Sequence, residues 1–261
     1  MDDCVKEYIM KKYGAVMRDL VESEIAGKSF IYNEKDKAFL NMLFRDINRI
    51  TGSDFEYLAE LAMTSVEGVG ETVAQYIQQF ESHSVKAYLL HLMVNNKVKG
   101  CDRIILDMYK EFKASDDYIS AQGKPAPAHI YVRYDNAFKK LKPKRLKKEL
   151  LELAHNPRDF FYLPFTMRML ASWKPPELKE LLIHYSYDNS ISEQDVGLEK
   201  GAENFFPPFS FIRREINFTV IACLKYYPSK EAVGILECYA DTDNKDVKSA
   251  VEKVLKKYDD Y

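Results

Sequence analysis

Apolar residues recur at spacings of three and four along most of this chain, the period of a helix with one buried face. Val5, Tyr8, Ile9, Tyr13, Val16, Met17, Leu20 and Val21 mark the first stripe. Asn33 then offers an N-cap, with Asp36 three residues on as a weaker form of the capping box. Phe39, Leu40, Leu43, Ile47 and Ile50 carry the second stripe, and Gly52 ends it. Ser53 reads as the cap of a third helix through Phe55, Leu58, Leu61 and Ala62. Beyond Gly68-Val69-Gly70 the pattern predicts a helix over 71–80, then a tight pair over 85–94 and 101–112. Residues 114–128 form a polar connection ending in Lys124-Pro125-Ala126-Pro127. Residues 130–134 have strand propensity but are read as the start of a helix that runs to Leu141. Pro143 opens the next helix, through Leu146, Leu150, Leu151 and Leu153. Asn156-Pro157 breaks it, and one helix is expected over 158–173.

Two stretches further on align without a gap. FTMRMLASWKPPELKELLIHYSYD at 165–188 lies over FTVIACLKYYPSKEAVGILECYAD at 218–241, an offset of 53. Trp173 matches Tyr226, Pro175 matches Pro228, Leu182-Ile183 matches Ile235-Leu236, and Asp188 matches Asp241. Each copy reads as a helix, a proline corner and a second helix. The residue before proline avoids the helical region, and proline itself is tolerated near a helix start. Such pairs carry apolar surface on two sides and must stack on neighbours.

This pattern resembles the HEAT-like, armadillo-type α-solenoid family. The likeness is strongest over 213–257, from Arg213-Arg214 through Pro228-Ser229-Lys230-Glu231-Ala232 and Ile235-Leu236 to the run 241–250. Residues 84–113 and 143–187 fit more loosely, and residues 1–80 are helical without the motif. The resemblance implies an all-α fold, a right-handed superhelix of antiparallel helix pairs forming a single domain over 1–261. Within it, 1–82 is the less regular part and 83–261 holds the helix pairs, with a loop inserted at 189–210. The second helix of each pair would line the concave face, with Lys179, Glu180 and His184 from one pair and Glu231 and Glu237 from another. The inserted loop contains Phe205, Phe206 and Phe209 around two prolines, and insertions of that length often carry function.

Composition narrows the class. With 261 residues, 46% of them hydrophobic, the chain can bury a core without staples. Ten glycines and ten prolines, no proline before Pro125, are too few turn residues for a strand-rich domain. A net charge of −2 argues against general binding to nucleic acid or membrane surfaces. No apolar run approaches the ~20 residues needed to span a bilayer. The start Met1-Asp2-Asp3-Cys4 is acidic and polar, unlike a secretory signal. Cys4, Cys101, Cys223 and Cys238 form no Cys-x-x-Cys, so a reducing cytoplasm is expected.

Candidate chemistry is sparse. Gly68-Val69-Gly70, with its lead-in from Leu58 and the following 72–77, resembles a helix-hairpin-helix motif over about 20 residues. There, glycines let backbone amides at a helix N-terminus approach a DNA phosphate. Here Glu71 stands where that motif has a small or basic residue, and the other reading is a glycine turn between packed helices. The strongest charge feature is Lys139, Lys140, Lys142, Lys144, Arg145, Lys147 and Lys148, seven cations in ten residues with no acid among them. It suits an acidic protein face or a nucleic-acid backbone; otherwise it is a solvated corner with Leu146 and Leu150 facing inward. Asp241, Asp243 and Glu252 mimic calcium-loop positions, but Lys245 and Asp246 fall where a ligand and a glycine belong, so a helix cap is the better account. The five histidines form no ligand spacing, and His91 and His184 are expected to be packed. No nucleophile–base set can be argued from spacing. The expected protein is therefore a non-catalytic scaffold without cofactor or metal, binding another protein with an acidic surface. The alternative is a nucleic-acid-binding or DNA-repair-type member using a basic groove. An enzyme with a pocket under the 189–210 loop has no motif in its favour.

Overall fold

A computed structural model of the chain describes residues 33–61, 66–115, 128–196 and 208–258. The stripe at 5–21, Cys4, and Phe205 and Phe206 lie outside them. Among the described residues all regular structure is helical, in keeping with the all-α expectation. None of these helices is long and apolar enough to cross a membrane. The chain forms two compact units, which among the described residues divide between Leu141 and Lys142. The sequence draws its one internal line earlier, at 82–83.

The first unit holds α1 (Glu34–Thr51), α2 (Leu58–Leu61), α3 (Val69–Tyr76), α4 (His83–Asn95), α5 (Cys101–Lys113) and α6 (Ala128–Leu141). The Asn33 side chain accepts the Asp36 amide at 2.7 Å, so the expected cap forms. Asp36 does not close the box. Its buried carboxylate instead accepts the amides of Glu81 at 2.7 Å and Ser82 at 3.0 Å, pinning the start of α1 to the start of α4. Ser53 does not start a helix. Residues 53–56 are irregular because Asn48 bonds both the amide and the carbonyl of Phe55, and α2 begins only at Leu58. α4 packs against α2, α3, α5 and α6 and is buried on nearly every side. Fully burying one of its leucines contributes ~2 kcal/mol, and Leu89→Ala would cost more, because the cavity adds to the lost transfer.

The second unit begins with a 3-10 turn at Lys144–Leu146. It continues through α7 (Lys147–Ala154), α8 (Pro157–Tyr162), α9 (Pro164–Ser172), α10 (Pro176–Ser186), α11 (Phe209–Leu224), α12 (Lys230–Ala240) and α13 (Lys245–Tyr258). The single helix expected over 158–173 is two. Pro164 lacks an N–H and disfavours the helical region for Leu163, which sits at φ −119° and ψ 48°. Asn244, not an acidic residue, caps α13, accepting the amides of Asp246 at 3.0 Å and Val247 at 3.3 Å.

The aligned copies take matching structures. α9 turns at Trp173–Pro175 into α10, and α11 turns at 225–229 into α12. Thr166, Met167, Leu170 and Ala171 of α9 are buried, as are Thr219, Val220, Cys223 and Leu224 of α11, an offset of 53. In the second helices Leu178, Leu182 and Tyr185 are buried in α10 and Ala232 and Leu236 in α12, the two leucines of α10 matching the two buried residues of α12. That offset is 54, so the register of buried positions shifts by one residue across the corner before α12, and Leu236, not Ile235, takes the place of Leu182. α10 and α12 lie side by side and run the same way. Lys179 meets Glu231 at 3.6 Å near their starts, and the Tyr239 hydroxyl reaches the Ser186 carbonyl at 3.3 Å near their ends.

Tyrosines latch these layers. Tyr185 of α10 donates to Ala154 O, the last carbonyl of α7, at 3.2 Å, and the Tyr239 hydroxyl of α12 lies 3.3 Å from the last carbonyl of α10, sharing its one proton with Asn217 Oδ1 at 3.2 Å. Donor and acceptor are 31 residues apart in the first latch and 53 in the second. Of the excess (53 less 31, which is 22), the link from Ser186 to Phe209 supplies 20, being 22 residues against the two between Ala154 and Pro157, and the longer corner before α12 supplies the other two. Tyr258 of α13 likewise donates to Leu224 O, the last carbonyl of α11, at 2.6 Å. Last-turn carbonyls have no partner within their own helix, so each latch satisfies a group that would otherwise need water.

Candidate functional site

The basic run straddles the boundary between the units. Lys139 and Lys140 close α6, and both are exposed; Lys140 donates to Asn95 at 2.6 Å. In the second unit Lys142, Lys144, Arg145 and Lys148 are exposed, Lys147 is half-buried, and Pro143, Leu146 and Leu150 face inward. Lys142 adopts a left-handed backbone (φ 47°), which turns the chain sharply into the 3-10 turn. The second-unit portion therefore presents a corner of cations on an apolar footing.

Of the residues expected on a binding face, Glu180, His184, Glu231 and Glu237 are exposed and Lys179 is half-buried against Glu231. His184 is thus on the surface, not packed. Phe209, the first residue of α11, is half-buried. Because α10 and α12 are neighbours, five of these side chains share one side of the stack, and three of them are acidic.

Gly68 and Gly70 have separate structural causes. Gly68 precedes α3 at φ +86°, a left-handed conformation that a side chain strains. A Cβ on Gly70 would lie 2.6 Å from Asn96 Cβ and 2.7 Å from Val98 Cγ2. The α4–α5 loop thus packs directly on the first turn of α3, and Glu71 is exposed beside it.

The sequence reading did not single out a polar cluster inside the first unit. Lys86 on α4 is 1% exposed, and its ammonium donates to Glu111 of α5 at 2.7 Å. His83, one turn earlier, lies against Phe112, with ring centroids 5.3 Å apart. Phe112 also meets Tyr131 and Tyr134 of α6. The Tyr134 hydroxyl is buried without a hydrogen-bond partner among the described residues. Burial, with Glu111 nearby, pushes its ionisation well above the usual tyrosine range. A lysine inside the apolar stretch from Val85 to Val94, otherwise interrupted only by His91, was the available signal. Its meaning depends on Glu111, 25 residues away.

Among the described residues no group of three or more His, Cys, Asp or Glu is placed to hold a metal. Cys101 and Cys223 are buried free thiols and Cys238 is an exposed one; burial pushes Cys223 up to about 12, too high to yield a nucleophilic thiolate near neutral pH. Compared with protein-family models, curated proteins and solved structures, the chain matches none.

Proposed function

We propose that this protein is a non-catalytic scaffold that binds another protein, with its second unit built as a HEAT-like array of helix pairs. One observation carries the reading: Tyr185 and Tyr239, on the second helices of successive pairs, each reach the last carbonyl of a preceding helix, Ala154 O and Ser186 O. Stacking in register extends a surface layer by layer, which suits recognition of an extended partner. The exposed corner at Lys142, Lys144, Arg145 and Lys148 is its electrostatic anchor for an acidic partner. The face of α10 and α12 is too rich in glutamate for that role. Free Cys101, Cys223 and Cys238 accord with a cytoplasmic setting. The nucleic-acid alternative is weaker, since backbone conformation and packing account for Gly68 and Gly70.

The test is affinity capture from a lysate of the source cells, with and without nuclease, by the wild type and by a variant carrying Lys144→Glu, Arg145→Glu, Lys147→Glu and Lys148→Glu. A nuclease-resistant protein partner lost in the variant is expected. Recovery of nucleic acid instead, with affinity falling steeply with salt, would replace this reading with the alternative.

A further inference from the structure

The two sides of the second unit's stack differ in charge. α9 and α11 present Arg168 and Arg214 against Glu215, Arg213 being buried and bonded to Tyr187 O, whereas α10 and α12 carry four glutamates against two lysines. On the cationic side the same device occurs twice. Phe165 and Phe211 are 40% and 38% exposed, large for aromatic rings on ordered helices. One turn after each comes an arginine laid on it, Arg168 with its guanidinium 5.2 Å from the Phe165 ring centre and Arg214 at 4.8 Å from that of Phe211. Phe161 of α8 meets Phe211 edge-on, at 6.5 Å between centroids, which joins the two helices' aromatic surface. Arg168 has no carboxylate within ion-pair distance among the described residues, and its Nε is buried without a hydrogen-bond partner. Among the described residues Arg214 pairs only with its chain neighbour Glu215, at 3.5 Å.

A guanidinium held over a ring keeps N–H groups directed outward in its own plane, for Arg168 those of its terminal nitrogens because its Nε is buried, and a carboxylate can accept hydrogen bonds from them. Holding the side chain there in advance removes much of the entropy that binding would otherwise cost. We propose that Phe161, Phe165, Arg168, Phe211 and Arg214 form a docking surface for an acidic polypeptide segment. Its carboxylates meet the two arginines, and an apolar side chain between them covers the phenylalanine edges. Charge complementarity selects this occupant. A single-stranded nucleic acid is less well served, because bases stack on open ring faces and here the arginines already cover them. This inference rests on the protein-binding reading above and assigns that activity a second surface.

The test uses the full chain and a displayed library of random twelve-residue peptides. Selection is followed by affinity measurement on the wild type, on Arg168→Gln/Arg214→Gln, on Arg214→Glu alone, and on the basic-corner variant with residues 144, 145, 147 and 148 changed to Glu. Arg214 is exposed, so its single variant guards against misfolding of the double one. The expected result is enrichment of peptides with Asp or Glu flanking an apolar residue, bound at least tenfold more weakly by both arginine variants. Acidic peptides lost only in the basic-corner variant would overturn this surface and leave the protein-binding reading standing. No acidic enrichment would overturn the surface and count against that reading as well. A labelled twelve-nucleotide oligo(U) that binds the wild type more tightly than the selected peptides, and is lost on Arg214→Glu, would give the surface to nucleic acid.

Discussion

In the first unit the long-range polar links run through charged side chains. Asp36 holds the amides that begin α4, Glu111 holds the buried Lys86 ammonium, and Asp46 accepts the Tyr76 hydroxyl at 2.5 Å. In the second unit charged links occur too, from Arg158 to Val196 O, from Arg213 to Tyr187 O and from Lys179 to Glu231, but the links to helix-end carbonyls come from neutral tyrosine hydroxyls, as Tyr185, Tyr239 and Tyr258 show. A charge pair needs two matched side chains and serves one place in a fold. A carbonyl at a helix end is present whatever the sequence, so a single tyrosine suffices and the link can recur in every layer. The contrast is between side-chain pairs that each serve one place and a hydroxyl-to-carbonyl link made at three helix ends.

The largest expected effect sets the two halves of the buried ion pair against each other. Glu111→Ala leaves the Lys86 charge buried and unpaired and should cost about 3 kcal/mol in urea unfolding, whereas Lys86→Met leaves Glu111 in water and should be nearly neutral. Equal losses would mean that Lys86 contributes through packing. Next, Gly70→Ala should cost about 1–3 kcal/mol, because the α4–α5 loop must move away from the new Cβ. A silent substitution would dissociate α3 from that loop.

The repeated latches should behave alike. Tyr185→Phe and Tyr239→Phe are each expected to lose about 1 kcal/mol of stability, with additive effects. Tyr226→Phe, whose ring meets Lys225 but whose hydroxyl has no hydrogen bond among the described residues, should stay within about 0.5 kcal/mol. Unequal losses at Tyr185 and Tyr239 would break the likeness of the two latches.

The smallest effects lie in the pH profiles. The Tyr76 hydrogen bond, helped by Arg45 and Arg49, holds Asp46 below the ordinary aspartate value of 3.8. The unfolded chain then binds more protons just below that value, so this stabilisation is present above it and lost as the pH falls through the folded value. Tyr76→Phe should flatten that acid limb of the denaturation midpoint. In the second unit burial pushes Tyr258 from 10.0 up to about 12. Its contribution is whole below 10.0 and lost as the pH rises towards 12, and Tyr258→Phe should flatten this alkaline limb. The two variants exchanging limbs would overturn the contrast between charged and neutral links.

Much of the helical framework was legible in the chain. Asn33, Gly52 and the proline corners mark boundaries that hold, because caps and prolines act through the backbone within a turn of themselves. Pro164 carried the same kind of signal and was missed beneath a continuous apolar stripe. The α9–α12 repeat was legible to within one residue, the slip falling at the corner before α12. Of the candidate residues, the basic corner and the acidic set on α10 and α12 could be named from sequence as charged helix surface. The pairing of Lys179 with Glu231 and the laying of Arg168 and Arg214 on their rings could not.

By itself the sequence determined the helices, most of their ends, and the period at which two pairs repeat, because hydrophobic spacing and capping act over a few residues. The tertiary structure alone decided that Asp36 holds the amide of Ser82, the N-cap of α4, 46 residues away, that Lys86 is buried against Glu111, and that Gly70 must lack a side chain. It also placed arginines over phenylalanines on a side of the stack opposite in charge to α10 and α12. Each of these depends on which residue arrives from a distant part of the chain, and neither spacing nor propensity encodes that arrival.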